Sequence, residues 1–146
     1  MSGFSAKANE LLVEIYRNVQ ILEQNELKKQ RLNISINEMH MIELIAKGKT
    51  GMTVSEIAQQ LKVTKPSVTV AVNKLVQKGY CEKQRLPGDG RAVQVMLTPG
   101  GKKVEAFHRR CHRRLIAEIC EDLSEEEREE LLRTMTRINS YFQTKL

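Results

Sequence analysis

Thr53-Val-Ser-Glu-Ile-Ala-Gln-Gln-Leu61, followed by Lys62-Val-Thr64-Lys-Pro66-Ser-Val-Thr-Val-Ala-Val-Asn-Lys-Leu-Val-Gln-Lys-Gly79, has the pattern of two short capped helices joined by a tight turn. Thr53 to Glu56 form a capping box: the Thr53 hydroxyl can accept the Glu56 amide, and the Glu56 carboxylate can reach back to the Thr53 N–H. A short helix is expected from Val54 to Leu61, with Ile57, Ala58 and Leu61 inward. Thr64 then caps a second helix with Pro66 in its first turn, where a missing N–H costs nothing. This helix buries Val68, Ala71, Val72, Leu75 and Val76 and stops at Gly79. Its outer side carries Thr64, Lys65, Ser67, Thr69, Val70, Asn73 and Lys74. A lysine at a helix N-terminus suits phosphate, and Ser, Thr and Asn can both donate to and accept from base edges. An exposed polar face could equally be solvated, so the flanking segments must decide.

Downstream of Gly79 the hydrophobic period falls from 3.6 to 2. Tyr80 to Leu86 reads as one strand and Ala92 to Leu97 as another, with Pro87-Gly-Asp-Gly-Arg91 supplying the turn between them. The tip carries Arg85 and Arg91 with Asp89 as the opposing charge. Such a tip fits the negative potential of a narrow minor groove. Upstream, Leu11, Leu12, Ile15, Val19, Leu22 and Leu27 recur at helical steps from about Ser5 to Lys29. Ser35 or Asn37 can cap a next helix that carries Met39, Ile42, Leu44 and Ile45 and stops at Lys47-Gly48. Thr98 is the expected cap of a long helix over roughly Lys102 to Cys120. Ser124-Glu-Glu-Glu127 opens a final helix reaching about Thr144. The fold class is therefore mainly α with a small β-hairpin wing (α+β), a winged helix–turn–helix with six helices.

Composition narrows the function classes. The chain has 146 residues, 40% hydrophobic and 29% charged, which suits one folded domain over residues 1–146 and excludes compositional disorder. No apolar run approaches the ~20 residues of a membrane-spanning helix, and no apolar leader is present, so a cytoplasmic chain with no membrane partner is expected. Cys81, Cys111 and Cys120 are odd in number and unpatterned, which argues against a disulfide framework. The net charge of +6 is uneven: residues 47–103 hold eleven Lys and Arg against three acids, a polyanion-binding footprint. An enzyme is not expected, because no nucleophile–base signature, phosphate-cradling loop or metalloprotease box is present. A non-specific architectural DNA-binding protein built on the same winged fold is the alternative from another class.

With these residues in view, the chain resembles the MarR family of transcription regulators along essentially its whole length. The wing motif of the family stands here as Asp89-Gly-Arg91-Ala-Val-Gln-Val-Met-Leu97-Thr98. Arg85, Leu75-Val-Gln-Lys-Gly79-Tyr80 and Leu123-Ser-Glu-Glu-Glu-Arg-Glu-Glu-Leu131-Leu are further landmarks. The resemblance implies a homodimer joined through the first helix and the last two. Residues 35–99 would form the DNA-binding lobe, and 1–34 with 100–146 the helical dimerisation region. The partner would be double-stranded DNA bearing a pseudo-palindromic operator. Thr64, Lys65, Ser67, Thr69, Asn73 and Lys74 would face it from the second helix of the motif, with Arg85, Asp89 and Arg91 from the wing, where Asp89 would orient Arg91. The middle position is Gly90, where many relatives carry a second Arg.

A narrower resemblance is to the branch of this family that represses fatty-acid synthesis genes. Asn18-Val19, Ile21-Leu22-Glu23, Ile34-Ser-Ile-Asn-Glu38-Met39-His40 with Ile42, Val63-Thr64, Val68-Thr69, Lys78-Gly79-Tyr80 and His108-Arg-Arg-Cys-His112 carry it. It implies long-chain acyl-acyl-carrier protein as co-repressor, with Ile15, Val19, Met39, His40, Ile42 and Phe107 around an effector pocket. The same apolar residues could simply be core. Arg109, Arg110, Arg113 and Arg114 could receive the acidic carrier. His108, Cys111 and His112 share a helix face, so His108 and His112 are weak metal candidates, and a regulator responding to zinc or a small aromatic ligand is the alternative. No metal and no cofactor is the favoured expectation.

Overall fold

The computed structural model of the chain describes residues 3–88, 90 and 92–146. Its elements in chain order are α1 (Gly3–Lys29), α2 (Ile36–Lys47), β1 (Met52–Thr53), α3 (Val54–Leu61), α4 (Lys65–Gln77), β2 (Cys81–Arg85), β3 (Val93–Leu97), α5 (Pro99–Cys120) and α6 (Glu125–Gln143). The chain forms two compact units, residues 1–107 and 108–146, the second beginning within α5.

The first unit is built by local caps that set helix starts and by one shared core. Ser35, not Asn37, caps α2, and both arms of a capping box with Glu38 are made. Thr53 does the same for α3 with Glu56. Each box satisfies two otherwise unpaired backbone donors. At the other end of α4, Gly79 adopts φ +81°, its N–H reaching Val76 O and that of Tyr80 reaching Leu75 O. This paired closure needs a residue tolerant of left-handed backbone, which glycine supplies.

The sheet order is β1-β3-β2, all antiparallel. β2 and β3 pair Cys81 with Leu97 through Arg85 with Val93. The Leu86 N–H donates to Ala92 O just outside the ladder, so the hairpin is the expected one trimmed at its ends. β1, pairing Met52 with Val95 and Thr53 with Gln94, is an addition that the sequence does not announce.

Met39, Ile42 and Ile45 of α2, Ile57 of α3, Val68, Val72 and Leu75 of α4, and Val95 of β3 are fully buried in one cluster, joined by Leu27, Cys81 and Val104. Two inward assignments need correction. Val76 is 37% exposed because it sits some 70–80° around α4 from the axis of Val68, Val72 and Leu75. Leu61, the last residue of α3 before left-handed Lys62, is 38% exposed.

α5 starts at Pro99, three residues before the expected Lys102. Thr98 is its cap: its hydroxyl accepts the Gly101 N–H at 3.1 Å and donates to Gly79 O at 2.6 Å. Gly101 allows this packing, since a Cβ there would lie 2.1 Å from Tyr80 O.

In the second unit, Ser124 caps α6 through a capping box with Glu127, and Arg128 donates twice to Cys120 O, closing the turn between α5 and α6. α6 buries no residue within the chain, and leaves Leu132, Met135, Ile138, Tyr141 and Phe142 exposed. α1 likewise exposes Leu11, Leu12, Ile15, Tyr16 and Leu22. Among the described residues no helix is long and apolar enough to cross a membrane.

Candidate nucleic-acid interface

α4 divides cleanly by exposure. Val68, Val72 and Leu75 are buried, while Thr64, Lys65, Ser67, Val70, Asn73 and Lys74 are exposed and Thr69 is half-buried. The sequence-derived face is thus one continuous side of a 13-residue helix whose other side holds the core. At its N-terminus the Thr64 hydroxyl lies 2.8 Å from the Ser67 hydroxyl and accepts the Ser67 N–H at 3.4 Å. The Thr69 hydroxyl donates to Lys65 O at 3.0 Å. Its proton is therefore engaged, and what Thr69 presents outward is an acceptor oxygen and a methyl group.

The hairpin adds charge. Cys81, Lys83 and Arg85 alternate onto one face of β2, and Lys83 is registered against buried Val95. Lys83 Nζ donates to Asn73 Oδ1 at 2.5 Å, tying the wing strand to the outward face of α4. Arg85 is exposed at the end of the same strand. Asp89 and Arg91 lie outside the described residues. Lys83 is not among the residues that the helix and wing motifs point to; its period-2 relation to Cys81, which places it on the helix side of the sheet, is the sequence signal for it.

The base of the motif is held by Lys78, whose Nζ is 2.7 Å from Glu38 Oε2. Burial disfavours the Glu38 carboxylate, but hydrogen bonds from Lys78 and the Ser35 N–H, with the charges of Lys78 and Lys74, outweigh it and hold its pKa below the usual value. Cys81 is buried, and desolvation pushes its thiol up to about 11, so it is an inert core group.

The residues assigned to an effector pocket divide in two. Met39 and Ile42 are wholly inside the core. Val19 and Phe107 are half-buried, Ile15 is 58% exposed, and exposed His40 has its Nε2 3.6 Å from Glu23 Oε2. In the second unit, His108 and His112 place their Nε2 atoms 3.1 Å apart with rings edge-on. α5 alone thus offers two nitrogen ligands of the four that structural zinc takes.

Known proteins share this fold. A family model described as MarR family matches residues 32–92, which span α2 through β2 and stop just short of β3. FabT of Streptococcus pneumoniae, solved in complex with DNA, is 33% identical, superposes with a TM-score of 0.92, and the match covers 97% of this chain and 99% of that one. MepR of S. aureus, also solved as a DNA complex, is 22% identical with a TM-score of 0.72 over 90% of this chain and 94% of that one, and supports the fold. An uncharacterized HTH-type transcriptional regulator of Bacillus subtilis, YhjH, is 26% identical over 81 residues, 56% of this chain, and the matched part is 46% of its own length. A helix–turn–helix with a three-stranded wing, set among six helices and superposing on FabT over nearly its whole length, leaves one family assignment: the chain belongs to the MarR family of winged helix–turn–helix transcriptional regulators.

Proposed function

We propose that this chain is a sequence-specific, double-stranded-DNA-binding repressor that acts as a cytoplasmic homodimer on a pseudo-palindromic operator. The observation that carries the reading is the outward face of α4, with Thr64, Lys65, Ser67, Asn73 and Lys74 exposed beside a strand bearing Lys83 and Arg85. α4 would enter the major groove and the hairpin tip, with Asp89 and Arg91, the minor groove. Residues 35–99 would then be the DNA-binding lobe, with 1–34 and 100–146 making the dimer. Exposed apolar side chains on α1 and α6 support that division, since a monomer rarely leaves so many large apolar groups in water.

The regulated genes in this reading are those of fatty-acid synthesis, and the co-repressor is long-chain acyl-acyl-carrier protein. The basis is the likeness to FabT and the sequence stretches shared with that branch. Ile15, Val19 and Phe107 are the accessible apolar members of the acyl site. Met39 and Ile42 would form its floor, so a chain could enter only if core side chains turned aside. Each buried methylene contributes ~0.8 kcal/mol, so such a slot discriminates strongly on chain length. Arg109, Arg110, Arg113 and Arg114 would receive the acidic carrier.

The paired Nε2 atoms of His108 and His112 favour one second reading, a metal-responsive regulator. Gel shifts on the operator with apo-, short-chain and long-chain acyl-carrier protein, beside zinc and a chelator, separate the two. The co-repressor reading expects tighter DNA binding with the long chain alone; equal binding across the acyl series with a response to zinc overturns it.

A further inference from the structure

The Lys83–Asn73 contact links the wing to the reading helix, and we infer that Lys83 is a positioning residue that fixes the amide of Asn73 and thereby sets which base Asn73 selects. This rests on the DNA-reading function proposed above. Lys83 sits on the core-side face of β2, in register with fully buried Val95, so its stem is directed toward α4 rather than away from it. Its ammonium can only donate, so the amide atom it meets at 2.5 Å must be the carbonyl oxygen Oδ1. Both N–H bonds of Asn73 are then turned away from Lys83, on an exposed side chain of the outward face.

The consequence is a change in what Asn73 can read. A free asparagine is suited to adenine because it donates to N7 while its oxygen accepts from the N6 amino group. With Lys83 on Oδ1, one lone-pair direction is filled and a full positive charge repels a second donor. Asn73 becomes in effect a donor. Guanine, whose N7 and O6 are both acceptors, is favoured, and adenine, whose amino group needs the occupied oxygen, is disfavoured. A lysine that never touches a base would therefore specify one.

The test is selection from a random duplex pool with the full-length wild type, Asn73→Ala, Lys83→Met and Lys83→Arg. The position whose preference vanishes in Asn73→Ala is the one Asn73 reads. The wild type is expected to select guanine there, and Lys83→Arg, which keeps a cationic donor, to retain it. Lys83→Met should move the preference toward adenine by about tenfold, and should change nothing further in the Asn73→Ala background. A uniform loss of affinity in Lys83→Met with an unchanged consensus would mark Lys83 as a phosphate contact and overturn the inference. Adenine at that position in the wild-type consensus would overturn it too, without any variant. A wild type that selects no consensus is a different failure, that of sequence-specific reading itself.

Discussion

Lys78 and Glu38, forty residues apart, are joined by a 2.7 Å ion pair that fastens the C-terminal end of α4 to the first turn of α2. The same Glu38 oxygen accepts the Ser35 N–H at 3.0 Å, so one carboxylate both caps α2 and holds the reading helix. With Glu38 only 12% exposed, the pair is screened less than a surface one.

Acid should loosen this joint first. The Glu38 pKa is lowered in the folded chain, so its contribution is present above the unfolded carboxylate value and is lost as pH falls through the folded one. Glu38→Gln should cost about 1–3 kcal/mol at neutral pH and flatten the stability profile below pH ~4.5. Denaturant unfolding at several pH values measures both, and a variant with the wild-type acid slope contradicts the assignment.

Gly101→Ala is expected to be severe for a single methyl group. The added Cβ would meet the Tyr80 carbonyl oxygen at 2.1 Å, and that atom is backbone and cannot swing aside. A loss of about 1–3 kcal/mol by thermal unfolding is the expectation. An unchanged midpoint would show that α5 does not press on the start of the wing.

Ile42→Ala distinguishes a core role for this residue from a ligand-binding one. It is wholly buried, and Ile42→Ala should cost about 2–5 kcal/mol whether or not any acyl ligand is present. A variant of wild-type stability that loses only the acyl response would make Ile42 a ligand-binding residue that the core does not need.

What the sequence discloses of this molecule is what local chemistry decides. Thr53, Thr64 and Ser124 announce their helices because a hydroxyl and an amide three residues on are enough to define a start. α5 begins at Pro99, three residues before the expected Lys102, with Gly100 and Gly101 inside it; Gly101 is glycine for close packing against Tyr80, which a local pattern does not reveal. β1 is two residues long and exists through Val95 and Gln94, more than forty positions away. The outward face of α4 was legible from its period. The Lys83 contact that orients Asn73 was not, because it depends on how the hairpin folds back over the helix. Periodicity identified Met39 and Ile42 as buried but could not say whether a ligand or the core surrounds them.

Lys74→Ala should weaken binding to every duplex alike. An exposed lysine on the outward face of α4 is suited to phosphate, and its loss should lower the slope of log affinity against log salt by about one per half-site. Fluorescence-anisotropy titrations across salt concentrations check it; an unchanged slope places Lys74 off the backbone.

If the face presented by α4 and the wing reads sequence, competition binding at fixed salt must show it. A labelled duplex carrying the selected consensus is competed with unlabelled consensus and with random DNA. Consensus DNA is expected to compete better by ~10³ or more, and Asn73→Ala to narrow this ratio. Equal competition by the two DNAs would contradict it and leave a non-specific architectural protein in its place.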